Sequence, residues 1–347
     1  VKATTGEVLH VESATAGAPV APAPARVATI ARRRRQRRSP ELTLSFSARC
    51  LYYLMVATLH VLSLLPDFVL YQLGVLGGWL AFKFDRRHVR IGLKNLEIAF
   101  PDLTPAARER ILRASYINLG RSGAEYVRLG GFFYRRLLRR VRYEGLDLWE
   151  GMKQRYPGRG ILVLTGHFGN FELLLATHAM NGHQISLVHH TQRFLAGDAM
   201  MTFVRERAGV EVIRKHAAAR PVLRALRAGQ MVGIPFDQNA KRSEAVFVPF
   251  FTELAATSSG LARLERMSRA AVAPVFIVRD PNCRTHRIMI EDELELQHTD
   301  NLDEDLLENT RRFVAAIERT VRAYPEQFLW THRRYRTRPR GARQIYD

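Results

Sequence analysis

From residue 160 onward, short apolar runs of strand length alternate with helical stretches, and this alternation constrains the fold more than any other feature. The strand candidates are ILVL (161–164), ISLVHH (185–190), MVGIP (231–235), AVFVPF (245–250), VAPVFIV (272–278) and HRIMIE (286–291). Helical patterns at 170–180, 198–208, 218–228, 257–268 and 303–323 lie between and after them. Such an order buries its apolar faces as an α/β fold, with a mixed central sheet flanked by helices. The sheet need not be all parallel, because the connection between 235 and 245 is too short for a crossover helix. Upstream, Leu103–Leu119 reads as a helix that Thr104 caps and Pro105 opens. RSGAEYVRL and FYRRLLRRV read as further helical pieces.

The first 45 residues cannot share in that core. VESATAGAPVAPAPARVATI is rich in Ala, Pro and small residues, and so reads as a disordered tail. It ends in a basic run, Arg32 to Arg38, suited to anionic lipid headgroups. Residues 46–85 form a second region. CLYYLMVATLHVLSLL (50–65) carries no acidic or basic residue apart from His60. Pro66 and Asp67 break the pattern, and FVLYQLGVLGGWLAF (68–82) follows. Each run is shorter than the roughly 20 residues of a full span. Basic residues flank the pair on both sides, which puts both ends in the cytoplasm. The expectation is a membrane-associated helical segment that dips in and returns or lies within one leaflet, with a single span or a buried helical hairpin of a soluble protein as the alternatives. Residues 86–347 then form the main domain.

The net charge of +20 implies an acidic partner: nucleic acid, an anionic membrane or a phosphorylated substrate. A nucleic-acid-binding protein is disfavoured, because the chain shows no zinc pattern or RNA-binding motif and that reading leaves residues 50–82 unexplained. Two cysteines, Cys50 and Cys283, allow no disulfide framework and suggest no zinc site.

The chemistry concentrates in LTGHFGNFE (164–172), at the junction of a strand and a helix. A neutral imidazole is a good general base near neutral pH, and a carboxylate can fix its tautomer and stabilise the imidazolium. His167 is the candidate base and Glu172 its candidate partner. Their spacing works if His167 lies in the turn and Glu172 in the first helical turn. Gly166 and Gly169 permit a sharp turn.

This block resembles the His-x4-Asp/Glu motif of membrane glycerolipid and lipid A acyltransferases. Several further blocks in order narrow the resemblance to the bacterial lipid A biosynthesis acyltransferase family of the lauroyl/myristoyl type. They are NLEIAFPDL (95–103), NLG (118–120), AEYVRL (124–129), FDQNAKRSEAVFVPFF (236–251), ATSSGLARLERMSRAAVAPVF (256–276) and YPEQFLWTHRRYRTRP (324–339). The resemblance covers roughly residues 48–340. It implies a glycerolipid-acyltransferase-like fold and transfer of a fatty acyl group from a thioester to a hydroxyl. It further implies acyl-[acyl-carrier-protein] or acyl-CoA as donor and a Kdo-bearing lipid A precursor as acceptor, with a phosphatidylinositol mannoside or another glycolipid as the alternative. A non-catalytic lipid-binding relative is a further alternative. No metal or other cofactor is required. The implied location is the bacterial inner membrane, with anionic lipids and acyl carrier protein as partners and the catalytic domain facing the cytoplasm.

Other candidates surround this centre. Glu244 rivals Glu172 as the partner of His167. Asp237, Gln238 and Asn239 follow MVGIP and form a second strand-end loop at the same site. Backbone around Gly166–Asn170 is a candidate oxyanion hole. Thr257 and Ser258 cap the next helix or narrow an acyl groove. Family members often carry Arg-Pro after the third strand, where this chain has HHTQRF (189–194), so Arg193 is the candidate for that basic role. Arg207 could bind phosphate. His332, Arg333 and Arg334 begin a basic C-terminal cluster suited to sugar phosphates or an acidic carrier protein.

Overall fold

The computed structural model describes residues 44–346; the expected basic tail, with its Arg32–Arg38 run, lies outside the described residues. Among the described residues, four helices come first: α1 (Phe46–Leu62), α2 (Asp67–Phe84), α3 (Arg86–Ala99) and α4 (Pro105–Gly130). A short helix, α5 (Tyr134–Leu138), leads into β1 (Val141–Glu144) and α6 (Leu146–Arg155). The alternating body then runs β2 (Leu162–Thr165), α7 (Phe171–Met180), β3 (Ile185–His189), α8 (Leu195–Arg207), β4 (Glu211–Arg214), α9 (Ala219–Arg227) and β5 (Met231–Pro235). It closes with β6 (Ala245–Phe250), β7 (Glu253–Ser258), α10 (Gly260–Ser268), β8 (Val272–Arg279), β9 (His286–Ile290) and α11 (Leu302–Ala323).

The strand order in the main sheet is β1-β9-β8-β2-β5-β3-β4. β8, β2, β5, β3 and β4 are parallel, while β9 is antiparallel to β8 and parallel to β1. The sheet is therefore mixed, but through the β8–β9 hairpin. The short connection after β5 instead carries the chain out of the sheet into a separate antiparallel ribbon of β6 and β7. Alternate residues of each central strand face opposite layers. Leu162, Leu164, Val232 and Ile234 pack toward α9, α10 and α11, while Val163, Ile161 and Ile185 pack toward α6 and α7. That alternation puts helices on both faces of a largely parallel sheet.

Three local expectations change. FYRRLLRRV stops being helical at Leu138, and Val141 starts a strand whose side chains alternate half-buried and exposed. EVIR forms β4, an edge strand too short to announce itself. Thr257 and Ser258 belong to β7, so α10 begins only at Gly260. α4, by contrast, starts as expected, with Thr104 Oγ1 accepting from Ala107 N, and absorbs RSGAEYVRL into one continuous helix.

Pro66 and Asp67 divide the apolar N-terminal region into α1 and α2 rather than one rod. The corner is clamped from α4. Arg128 donates to the carbonyls of Ser63 and Leu65 and pairs with Asp67 at 2.7 Å, and Arg140 reaches the same carboxylate at 2.6 Å. Along the α2–α4 crossing the backbones nearly touch. A Cβ added at Gly120 would lie 2.0 Å from the Gly74 carbonyl oxygen, and one at Gly78 would lie 2.4 Å from that of Tyr116. The outer faces of the pair expose large apolar side chains, among them Phe46, Leu54, Val61, Leu64, Phe68 and Phe84, beside exposed Phe132 and Phe133. No helix among the described residues is long and apolar enough to cross a membrane.

The crossing yields a stability test. Gly120→Ala should lower the unfolding midpoint, because overpacking against backbone costs about 1–3 kcal/mol and outweighs alanine's better helix propensity. Urea unfolding in detergent reads this directly, and a midpoint equal to or above that of the unaltered chain contradicts it.

Candidate active site

β2 and β5 are adjacent and parallel, with Thr165 paired to Pro235. Two residues beyond this last pair, at the carboxyl edge of the sheet, come His167 and Asp237. The shared register brings together side chains 70 positions apart, with His167 Nδ1 lying 2.8 Å from Asp237 Oδ1. Asp237 is buried and His167 about a quarter exposed (25%). An ionised carboxylate only accepts, so Nδ1 carries the proton and donates it, which leaves the Nε2 lone pair as the basic site. Burial alone would lower the His167 pKa, but the Asp237 charge and hydrogen bond, with Glu172 adding to them, hold it above the ordinary imidazole value. The Asp237 carboxyl is pushed up by burial, yet the facing His167 and its hydrogen bond bring it below the usual carboxylate range. Gln238 Nε2 lies 3.2 Å from His167 Nε2, so this exposed amide covers the basic nitrogen.

Asp237 therefore holds the position expected for Glu172 or Glu244. Glu172, in the first turn of α7, points away into a buried ion pair with Arg205 of α8, whose Nε donates to Oε2 at 2.9 Å. His167 lies in the turn and Glu172 in the first turn of α7, as the spacing allows, but Arg205 takes up the Glu172 carboxylate. Arg205 Nη1 also donates to His189 Nδ1 at 2.9 Å, which places the His189 proton on Nε2, where it is donated to Asp198 at 2.7 Å. Neither Arg205 nor this His189–Asp198 pair was legible in advance; a basic residue one strand-helix unit after the motif acid is the only available cue. Glu244 is half exposed in a short 3-10 turn and faces Lys215 at 3.4 Å.

The turn itself is fastened from behind. Gly169 has φ +56°, and a Cβ there would lie 2.0 Å from Ile277 O, so this position requires glycine. Gly166 carries no such demand, since an added Cβ would meet Asp237 Cγ at an ordinary contact distance of 3.4 Å. The Gly169 N–H donates to Gln327 O at 2.8 Å, and Leu329 N donates to His167 O at 3.1 Å. The segment after α11 thus pairs with the turn, and Gly169 is not free to serve as an oxyanion donor. The Asn170 side chain caps α7 through Leu173 N and is buried, facing away from the open edge.

The remaining candidates sort by what they touch. Asn239 N donates to His332 Nε2 at 2.9 Å, and its amide exchanges hydrogen bonds with Thr337. Burial pushes the His332 pKa down to about 4, so it is a neutral acceptor rather than a ligand-binding cation. Arg334 is buried and donates to the carbonyls of Gln238 and Ala256 and to Thr257 Oγ1. Arg333 lies over the Tyr346 ring, 5.8 Å from its centroid. His332 and Arg334 thus form an internal clasp on the Asp237 loop rather than a cluster open to sugar phosphates or a carrier protein, and Thr257 belongs to it. Ser258 Oγ accepts from Gly260 N, as an ordinary turn residue does. Arg207 lies over Tyr134 and reaches Gly131 O, at the end of α4. Arg193 stands exposed on the loop after β3, at the same sheet edge as His167. Among the described residues no group of three His, Cys, Asp or Glu side chains is placed to hold a metal ion.

The sequence profile of bacterial lipid A biosynthesis acyltransferases matches residues 39–337. The chain is similar to the lipid A biosynthesis palmitoleoyltransferase of Escherichia coli K12, 30% identical over 293 residues, covering 81% of this chain and 90% of that protein. It is similar to the lauroyltransferase of the same organism at 28% identity, covering 85% and 94% of the two chains, and to the myristoyltransferase at 27%, covering 85% and 89%.

The electrostatics predict a titration. The His167 imidazole should titrate above its ordinary value of about 6.5, and Asp237→Asn should move the midpoint downward, as read by NMR of labelled histidine. For stability, the protonated His167–Asp237 pair contributes fully below the unfolded imidazole pKa, and this is lost as pH rises through the elevated folded value. An unchanged midpoint in Asp237→Asn would show that the pair is not electrostatically coupled.

Proposed function

The chain belongs to the bacterial lipid A biosynthesis acyltransferase family, and on that premise we propose that it moves a fatty acyl group from acyl-[acyl-carrier-protein] to a hydroxyl of a lipid A precursor, with His167 as general base. The observation that carries the reading is the His167 Nδ1–Asp237 Oδ1 hydrogen bond at 2.8 Å, which leaves Nε2 basic at an open sheet edge.

The acceptor hydroxyl displaces the Gln238 amide from His167 Nε2. The imidazole takes the hydroxyl proton as the oxygen attacks the thioester carbonyl carbon. Asp237 stabilises the imidazolium that forms, by charge and hydrogen bond. The tetrahedral intermediate collapses with cleavage of the C–S bond. The imidazolium returns its proton to the departing sulfur, giving an ester and a free thiol. The oxyanion requires donors other than the Gly169 N–H, which is already committed to Gln327.

Glu172 acts at one remove. Its ion pair with Arg205 joins α7 to α8 beneath the turn, and its charge adds to the basicity of His167. Exposed Arg193, Lys215 and Lys241 follow β3, β4 and β5 at the same edge and suit a phosphate-bearing acceptor. The exposed apolar faces of α1 and α2 rest on the cytoplasmic leaflet of the inner membrane without spanning it.

His167→Ala should lower transfer by about 10³-fold while leaving circular dichroism unchanged, measured with acyl-[acyl-carrier-protein] and a Kdo-bearing lipid A precursor. Activity within tenfold of the unaltered enzyme refutes the base assignment. Replacing Phe46, Phe68 and Phe84 together by serine should weaken liposome binding in high salt, since each buried phenyl ring contributes roughly 1.5–3 kcal/mol. Undiminished binding contradicts the α1–α2 contact.

A further inference from the structure

Three of the sequence blocks that carry the family resemblance, NLG (118–120), AEYVRL (124–129) and YPEQFLWTH (324–332), have no part in the acid–base step above. The structure brings their polar residues together behind the His167 turn. Glu125 of α4 is 2% exposed. Its carboxylate takes three kinds of donor. Arg279, at the end of β8, pairs with it through both terminal nitrogens, one at 2.9 Å. Asn170 Nδ2 donates to Oε2 at 2.9 Å, and the Tyr71 hydroxyl of α2 lies 2.8 Å from Oε1, where it also meets the Cys283 carbonyl and accepts from Arg279 Nη1. Arg279 Nε is taken up by Asn118 Oδ1 at 2.7 Å. The Gln327 amide bonds both backbone groups of Arg279, and the Gln327 carbonyl holds Gly169 N.

The consequence is geometric. Asn170 has two duties, capping α7 through Leu173 N and anchoring to Glu125. The residue three positions after the base is therefore fixed by a carboxylate on a different helix. That carboxylate is in turn oriented by a hydroxyl from the apolar hairpin. A purely structural ion pair would need only Glu125 and Arg279; the Asn170 and Tyr71 bonds extend it from the catalytic turn to the lipid-facing helix. We propose that Glu125 is a positioning residue for His167, acting through Asn170, and that Tyr71 makes this positioning depend on the seating of α2. The proposal rests on the reading of His167 as the general base.

The test uses two variants that keep the packing. Tyr71→Phe removes only the hydroxyl. Asn170→Ser keeps an oxygen to cap α7 and loses the amide donor to Glu125. The full chain in lipid nanodiscs is assayed with acyl-[acyl-carrier-protein] and a Kdo-bearing lipid A precursor, below every variant's unfolding midpoint, alongside His167→Ala. Each variant should lower kcat about tenfold, as misplacement of a catalytic group does, with both KM values essentially unchanged. The double variant should be no slower than the worse single one, because both break one chain of contacts. Wild-type kcat in Tyr71→Phe overturns the proposal, as do losses that multiply in the double variant or that fall on KM alone. Retained turnover in His167→Ala fails the base assignment instead, and that arm is read independently of the other three.

Discussion

The arrangement depends on two parallel strands ending in register. β2 and β5 carry different sequences and are separated by two further strands and three helices, yet Thr165 and Pro235 pair, and the second residue beyond each is a polar group aimed at the same space. Parallel pairing repeats this geometry at every such edge, which is why loops at the carboxyl ends of strands make good sites. The imidazole needs a partner that is buried, ionised and held by backbone. Asp237 meets those conditions because its loop is clasped by Arg334 and His332.

Around that pair the structure places charged groups where water is scarce, and nearly all of them are paired. Glu172 answers Arg205, His189 is neutral between Arg205 and Asp198, and Glu125 answers Arg279. Removing one member of such a pair leaves an uncompensated buried charge, which costs about 3–5 kcal/mol. These networks therefore make a discrete geometry more than they add net stability. They also join separate layers: α7 to α8, and α4 to β8 and to the α2 hairpin. A turn bounded on one side by Asp237 and on the other by Asn170, Gly169 and Gln327 has little freedom to carry its imidazole elsewhere.

The N-terminal helices show another division of labour. Their inner faces meet α4 and α8 through glycine and small side chains and through the Arg128–Asp67 clamp, while their outer faces leave phenyl and leucyl groups in the open. A patch of that size on a chain with net charge +20 suits a surface that is apolar beneath and anionic above. The tie from Tyr71 to Glu125 puts that surface within two side chains of the turn that bears His167.

The α/β alternation, the helix cap at Thr104, the break at Pro66 and the strand–His–helix junction were all readable from the chain, because each is a local matter of periodicity, capping or φ/ψ preference. The six expected strands all occur, whereas β1, β4 and β7 carry no clear strand signal, being short or sited where charged and small residues mask the period of two. Which carboxylate serves His167 could not be read from spacing. Glu172 stands five residues away and Asp237 seventy, yet an ion pair with Arg205 draws the first aside and strand register delivers the second. The same holds for Arg334, which in sequence belongs to a basic cluster suited to phosphates or an acidic carrier protein and becomes part of an internal clasp once β7 and the Asp237 loop surround it. Local propensity decides what each segment is; only the pairing of segments distant in the chain decides which side chains face one another, because register and burial belong to the sheet rather than to any one strand.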